Sequence, residues 1–212
     1  MQIYGSTFSP YVRKTMAYAN EKGLSLDLVQ AMPNSSDPEF RAVSPFGKIP
    51  GFRDGDFTIS DSTAIIAYLE AKYPDPPLVP TAPESRARTV WYEEFADTIV
   101  IACMGKVFFN RVVAPKFLGR PGDEAAAATA VREELPPLID YLETVAPASG
   151  FLVDDRLTVA DIAVASPFIN LGHCDIVIDA KTHPKAAAYI AGIVARPSFA
   201  GFVAQEKAFL AR

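Results

Sequence analysis

Ser44-Pro45-Phe46-Gly47-Lys48-Ile49-Pro50-Gly51-Phe52, followed by Asp61-Ser62-Thr63-Ala64-Ile65, decides how this chain of 212 residues is read. The first segment is a Pro/Gly-punctuated loop leading into a strand. Asp54-Gly55 is a hairpin signal, and residues 57–60 supply the return strand. Asp61 and Ser62 then open a helix whose apolar residues fall at Ile65, Ile66 and Leu69. An acid, a hydroxyl and unpaired backbone N–H groups thus share one helix N-terminus beside a strand edge. Such a corner suits a ligand that carries a carboxylate.

Upstream, residues 2–6 read as a short strand and Thr7-Phe8 as a loop. Ser9-Pro10 is a helix start, with Ser at the N-cap and Pro in the first turn. Val12, Met16 and Ala19 repeat at helical spacing, and Gly23 stops the helix. Residues 25–31 form a second strand, with Leu26, Leu28 and Val29 apolar; a loop follows, and Asp37-Pro38 begins another helix. The order is β-α-β-α-β-β-α. The first two strands pair in parallel, because the helix over 10–22 supplies the crossover that parallel pairing needs.

Downstream, residues 74–83 hold Pro74, Pro76, Pro77, Pro80 and Pro83 and read as a stiff linker. Beyond it no strand pattern is found. Residues 84–113 carry long helical periodicity. Residues 123–145 are Ala-rich, with Leu135, Leu138, Ile139, Leu142 and Val145 on one stripe, and Pro136-Pro137 should kink or split that helix. Thr158-x-x-Asp161, flanked by Leu157 and Ile162, is a capping box with a hydrophobic staple, a structural feature with no chemistry assigned. Two more helices cover 184–196 and 198–210. The division expected is an α/β domain over 1–75, a linker over 76–83 and an all-helical domain over 84–212.

The formal net charge of -5 and pI near 5.1 argue against a nucleic-acid partner, which calls for a basic face. Residue 1 is not followed by a basic segment and an apolar core, and no long uninterrupted apolar run is found, so neither secretion nor a membrane association is expected and the location expected is cytoplasmic. Cys103 and Cys174 make no CxxC pair, and His173 and His183 are the two histidines. Neither a redox dithiol nor a metal site is supported. The adjacent His173-Cys174 read as two half-buried side chains.

Phe46-Gly47-Lys48-Ile49-Pro50 with Asp61-Ser62-x-Ala64-Ile65, at this spacing and after a strand–helix–strand pattern, resembles the glutathione site of the cytosolic glutathione transferases. The resemblance covers nearly the whole chain. It implies a thioredoxin-like α/β N-terminal domain, an all-α C-terminal domain and glutathione as co-substrate. It also implies a cis Pro50. The Ile49 backbone would pair with the cysteinyl part of glutathione, Asp61 and Ser62 would take the γ-glutamyl amine and carboxylate, and Lys48 would reach the glycine carboxylate, as a lysine of the tau class does. A second lysine of that class has no counterpart: Asn34-Ser35-Ser36 stands there.

Glutathione conjugation needs a thiolate near neutral pH, and helix N-termini lower thiol pKa values from ~8.5 to roughly 3.5–7.5. Ser9, at the start of the first helix, could donate to S⁻ or serve only as a cap. Ser9-Pro10-Tyr11 is similar to the Ser-Pro-Phe of the tau class, where that serine activates glutathione; omega-class enzymes have cysteine there. The likeness is to serine-type bacterial members of a tau, omega or zeta kind. Ser6 and Thr7 are rivals, since other classes place the hydroxyl earlier, and Tyr4 is a lesser one.

The resemblance further implies an electrophile site between the domains, lined by apolar groups. Tyr11, Met104, Phe108 and Arg111 are the candidates, with a core reading of Phe108-Phe109 equally open; Trp91, Tyr92 and Phe95 read as core or interface. A homodimer is implied, in which Phe46, between Pro45 and Gly47, either inserts into the partner subunit or folds back on its own domain. The function implied is transfer of glutathione to a small hydrophobic electrophile. The alternatives are a specialised glutathione-dependent lyase, dehalogenase, isomerase or peroxidase, and a non-catalytic module that binds proteins or ligands.

Overall fold

The computed structural model describes residues 1–211. Its first elements are β1 (Gln2–Gly5), α1 (Pro10–Glu21), β2 (Asp27–Gln30), α2 (Pro38–Val43), β3 (Gly51–Asp54), β4 (Phe57–Ser60) and α3 (Ser62–Lys72). The sheet order is β2-β1-β3-β4. β1 pairs with β2 in parallel and with β3 in antiparallel fashion, and β3–β4 is a hairpin. Its two-residue turn is Gly55-Asp56, with Gly55 at φ 60, the first central position of a type II′ turn. β2 begins at Asp27, so Ser25 and Leu26 stay outside the ladder, although Leu26 is buried.

Two compact units divide the chain. One holds Met1–Val79 together with the chain from Pro197 on; the other holds Pro80–Arg196. The boundary falls within the proline-rich stretch. In the first unit Tyr4, Phe40 and Val43 form one apolar cluster, joined by the half-buried Val29, Ala31 and Ile49. Glu70 ties the start of the linker to this unit. It accepts from Tyr18, from Lys22 Nζ at 2.6 Å and from the N–H groups of Leu78 and Val79 at 3.1 Å. Burial pushes the Glu70 carboxyl up, but these donors outweigh it and hold the group below its ordinary value.

The last helix, α10 (Pro197–Leu210), belongs to the first unit and lies against α1. Arg13 of α1 and Glu206 of α10 form a fork of two hydrogen bonds, Nε to Oε1 at 3.2 Å and Nη2 to Oε2 at 3.1 Å, and both side chains are out of solvent. At the other end of α1, Ser198 Oγ donates to Glu21 at 2.6 Å and Asn20 donates to the Ser198 carbonyl at 3.4 Å.

The second unit is helical. α4 (Pro83–Glu94) and α5 (Ile101–Phe108) run on through wider π-helical turns at Phe95–Val100 and Phe109–Phe117, the second of which contains Pro115. The run thus extends beyond residue 113. An 18-residue window of this 35-residue run is apolar enough to cross a membrane by composition, yet within the unit α4 and α5 pack on α8. α6 (Glu124–Thr129) and α7 (Leu135–Val145) are joined by another π-helical stretch, Ala130–Glu134. Pro136 and Pro137 sit in the first turn of α7, where a missing N–H costs least, so the Ala-rich helix changes its winding there rather than breaking.

α8 (Val159–Gly172) is the core helix, buried from Val159 to Leu171, and α9 (Pro184–Val194) follows it. The Thr158–Asp161 capping box is formed. Asp161 accepts from Thr158 N–H at 2.9 Å and also, beyond its own helix end, from Leu152 N–H at 2.8 Å and the Tyr189 hydroxyl at 3.1 Å.

Candidate active site

The register of the sheet gathers the candidate residues at one end. Tyr4 of β1 faces Gly51 of β3, which faces Ser60 of β4. The exit of β1, the entry of β3 and the exit of β4 are therefore neighbours. These three points lead to Ser9, come from Ile49-Pro50, and lead to Asp61-Ser62. Gly5 lies so near Ile49 that a Cβ on it would stand 3.3 Å from the Ile49 Cβ. Asp61 N–H donates to the Pro50 carbonyl at 3.2 Å and joins the loop to the α3 corner.

Ser9 is the N-cap of α1, as its Ser-Pro signature predicts. Its Oγ accepts from Val12 N–H at 3.5 Å, a long bond, and its carbonyl accepts from Arg13 N–H at 3.0 Å. Its hydroxyl proton has no acceptor among the described residues, so it is available. Ser6 and Thr7 lie in the same loop, half-buried. Tyr4 is different. It is 1% exposed, packs in the core, and donates its hydroxyl proton to Gln2 at 3.2 Å.

The Ile49–Pro50 bond is cis; so is Asp75–Pro76. Neither the N–H nor the C=O of Ile49 has a hydrogen-bond partner among the described residues, so a short stretch of strand edge stands unpaired. The loop before it is organised by Arg41, a residue that sequence reading missed. Its guanidinium donates to the carbonyls of Ser35, Pro45 and Asn34 at 2.7, 3.2 and 3.1 Å. Ser44 Oγ donates to the Lys48 carbonyl at 2.6 Å. Gly47, at φ 70, lets this arginine pass, because a Cβ there would stand 2.9 Å from Nη1. The only signal was an arginine four residues after Asp37, with nothing to show where it pointed. The loop presents Phe46, 85% exposed, and Lys48, whose ammonium has no partner among the described residues.

Asp61 caps α3. Its Oδ1 accepts from Thr63 N–H at 2.9 Å and Ala64 N–H at 3.1 Å, which leaves Oδ2 open. Its backbone is at φ 90, a conformation that costs roughly 1–3 kcal/mol for a residue with a Cβ and tends to occur at working sites. Ser62 is 3% exposed, its hydroxyl bonded to no other described residue. Two helix N-termini, an open carboxylate oxygen, a lysine and an unpaired strand edge thus surround one end of the sheet. The set offers N–H groups and a cation to anions, a carboxylate oxygen to an amine, and a strand edge to an extended peptide unit.

The remaining candidates are placed otherwise. Tyr11 is half-buried on α1. Met104 and Phe108 are buried in the helical unit, the Phe108 ring 6.4 Å from that of His173. Arg111 is paired with Glu124, Nη2 to Oε1 at 2.6 Å. Burial pushes the Cys103 and Cys174 thiols up to about 11, so neither is a thiolate at neutral pH. Among the described residues, no cluster of three or more His, Cys, Asp or Glu is arranged to hold a metal ion.

A mixed four-stranded sheet with a cis-proline loop, followed in the chain by a helical unit, defines a two-part protein of the thioredoxin-like kind. Residues 3–77 match the family described as Glutathione S-transferase, N-terminal domain, and residues 108–206 match Glutathione S-transferase, C-terminal domain. A glutathione S-transferase of Hyoscyamus muticus is 31% identical over 206 residues, covering 94% of this chain and 95% of its own. Glutathione S-transferase 4 of Zea mays is 32% identical, covering 93% and 89%. Among solved structures, a glutathione S-transferase from Rhodospirillum rubrum F11 superposes with a TM-score of 0.85 at 25% identity, covering 95% of this chain and 90% of that one. The chain belongs to the glutathione S-transferase family, and the activity that goes with that membership is glutathione transfer.

Proposed function

We propose that this protein activates the glutathione thiolate through Ser9 and presents it to a small apolar electrophile. The observation that carries this reading is the uncommitted hydroxyl proton of Ser9 at the N-terminus of α1, beside the unpaired edge of Ile49. The γ-glutamyl carboxylate meets Ser62 N–H and Oγ, and the α-amine meets Asp61 Oδ2. The cysteinyl unit pairs with the Ile49 backbone, which leads its sulfur toward Ser9. Lys48 takes the glycine carboxylate. The hydroxyl of Ser9 and the partial positive end of α1 then favour S⁻ over SH, and the thiol proton leaves to solvent. Sulfur attacks the electrophilic carbon and the leaving group departs with the electron pair. The location proposed is cytoplasmic, since two free cysteines suit a reducing compartment.

Calorimetric titration with glutathione, followed by turnover of an activated aryl halide, tests the reading. Binding with turnover is expected. Binding without turnover would point to a specialised lyase, dehalogenase or isomerase, and no binding to a protein- or ligand-binding module. Ser62→Ala should weaken glutathione binding several-fold or more, since a charge-assisted bond is worth about 1.5–3 kcal/mol. It should leave the melting temperature nearly unchanged, because Asp61 and not Ser62 caps α3. Unchanged affinity would remove Ser62 from the site.

The same reading includes a homodimer, supported by Phe46. The ring stands 85% exposed. Covering it is worth about 1.5–3 kcal/mol. Phe46→Ala should therefore raise the dimer dissociation constant by ten-fold or more in sedimentation equilibrium. A variant dimer as tight as the parent would refute the role.

A further inference from the structure

We propose that Glu206, acting through Arg13, is a positioning residue for the Ser9 hydroxyl; this rests on Ser9 being the thiol-activating group. The argument starts from what the ion pair does not do. Both side chains are buried, 0% and 1% exposed. Taking two charges out of water is expensive, and an apolar pair of similar volume often holds two helices together as well or better. Adhesion between α1 and α10 therefore does not account for charges at this place.

What a guanidinium–carboxylate fork adds is direction. Two nearly parallel bonds, at 3.2 and 3.1 Å, fix the angle of Arg13 about the α1 axis, which packed methyl groups do not. Ser9 is one turn before Arg13 and joined to it through the Arg13 N–H bond to the Ser9 carbonyl at 3.0 Å. A roll of α1 by about 15° would carry an atom about 5 Å from the axis through about 1.3 Å. Displacements of about 1 Å at a reacting group can cost about a hundred-fold in rate. The cap bond of Ser9 itself, at 3.5 Å, is too long to hold the hydroxyl.

A second contact grips the other side of the same residue. Phe8, immediately before Ser9, meets Phe209 of α10 edge-to-face with ring centroids 5.6 Å apart. Ser198 on Glu21 and Asn20 fixes the far end of α1 and prevents sliding. α10 thus holds residues 8 and 13, on either side of Ser9.

The test follows the thiolate absorbance of bound glutathione against pH, with glutathione affinity measured by calorimetry. The variants are Arg13→Met with Glu206→Leu, and Glu206→Gln, each alone and combined with Ser9→Ala. The apolar pair is expected to fold and to bind glutathione within two-fold of the parent, because the contacts of Asp61, Ser62 and Ile49 remain. Its bound thiol should titrate about half a unit or more higher, a roughly three-fold loss of thiolate at neutral pH. That shift should vanish when Ser9 is alanine, since Glu206 then has nothing to position. Should the apolar pair fail to fold, Glu206→Gln carries the same test with a smaller shift. An unshifted titration in a folded variant overturns the proposal, as does a shift that survives in the Ser9→Ala background. A Ser9→Ala curve superimposable on the parent overturns the reading of Ser9 itself, and the proposal with it.

Discussion

Replacing Ser9 by alanine is expected to raise the pKa of bound glutathione by one unit or more and to lower turnover at neutral pH about ten-fold or more, each unit corresponding to about 1.4 kcal/mol. The effect follows from geometry. The Ser9 hydroxyl has a proton to give and no acceptor among the described residues, at the positive end of a helix of twelve residues. A thiol that loses this donor keeps the helix N-terminus but not the directed bond. Glutathione affinity should change less, because Asp61, Ser62 and Ile49 are untouched. Loss of a serine cap costs about 1 kcal/mol in general. The 3.5 Å cap bond puts this case at the low end, so activities compared well below melting report chemistry and not unfolding. The ultraviolet absorbance of the thiolate, followed against pH in both proteins, reads the effect directly. Superimposable curves would make Ser9 a helix cap only and move the role to Ser6 or Thr7. Tyr4, buried and bonded to Gln2, would not inherit it.

Asp161→Ala should cost about 3–5 kcal/mol of stability, a large part of the roughly 5–15 kcal/mol that holds a typical domain. The carboxylate is the shared acceptor for Leu152 N–H, Thr158 N–H and the Tyr189 hydroxyl. Burial holds its pKa above the ordinary carboxyl value, against the pull of these donors. Removing the acceptor leaves buried donors from a loop, a helix cap and α9 without a partner, at about 1–3 kcal/mol each. Asp161→Asn keeps the shape but turns an amide NH₂ toward an N–H, and should fall between alanine and the parent. Urea unfolding measures both. A loss below about 1 kcal/mol for alanine would mean that the donors find water at little cost.

The helix starts around the candidate site were more legible than the packing of the core. Ser9-Pro10, Asp37-Pro38 and Thr158-x-x-Asp161 are local signals whose physics is complete within a few residues, and each opens a helix as expected. The cis state of Pro50 was carried by resemblance alone, since local sequence does little to distinguish the isomers. Other features depend on distant partners. Arg41 reads as an ordinary helix residue until the loop folds back over it. Asp161 reads as a cap, although half of its work lies at Leu152 and Tyr189. Met104 and Arg111 carried no local sign that one would be buried and the other paired with Glu124. The winding of the long helix was out of reach as well. Proline marks where a ladder loses a donor, but whether the chain then breaks, kinks or widens is settled by what packs beside it.

The bond between Arg13 and Glu206 joins residues 193 positions apart. On a ribosome working at about 5–20 residues per second, the partner of Arg13 is made roughly 10–40 s after it. In that interval the whole of Pro80–Arg196, a compact unit continuous in sequence, emerges as one uninterrupted piece. The half of the molecule synthesised first is therefore completed last, and the helix bearing Ser9 waits with a hydrated guanidinium where its last neighbour will be. Nascent chains shorter than about residue 206 can hold a finished helical unit while α1 still lacks α10, so on the role proposed for Ser9 thiol activation would arrive only with the final helix.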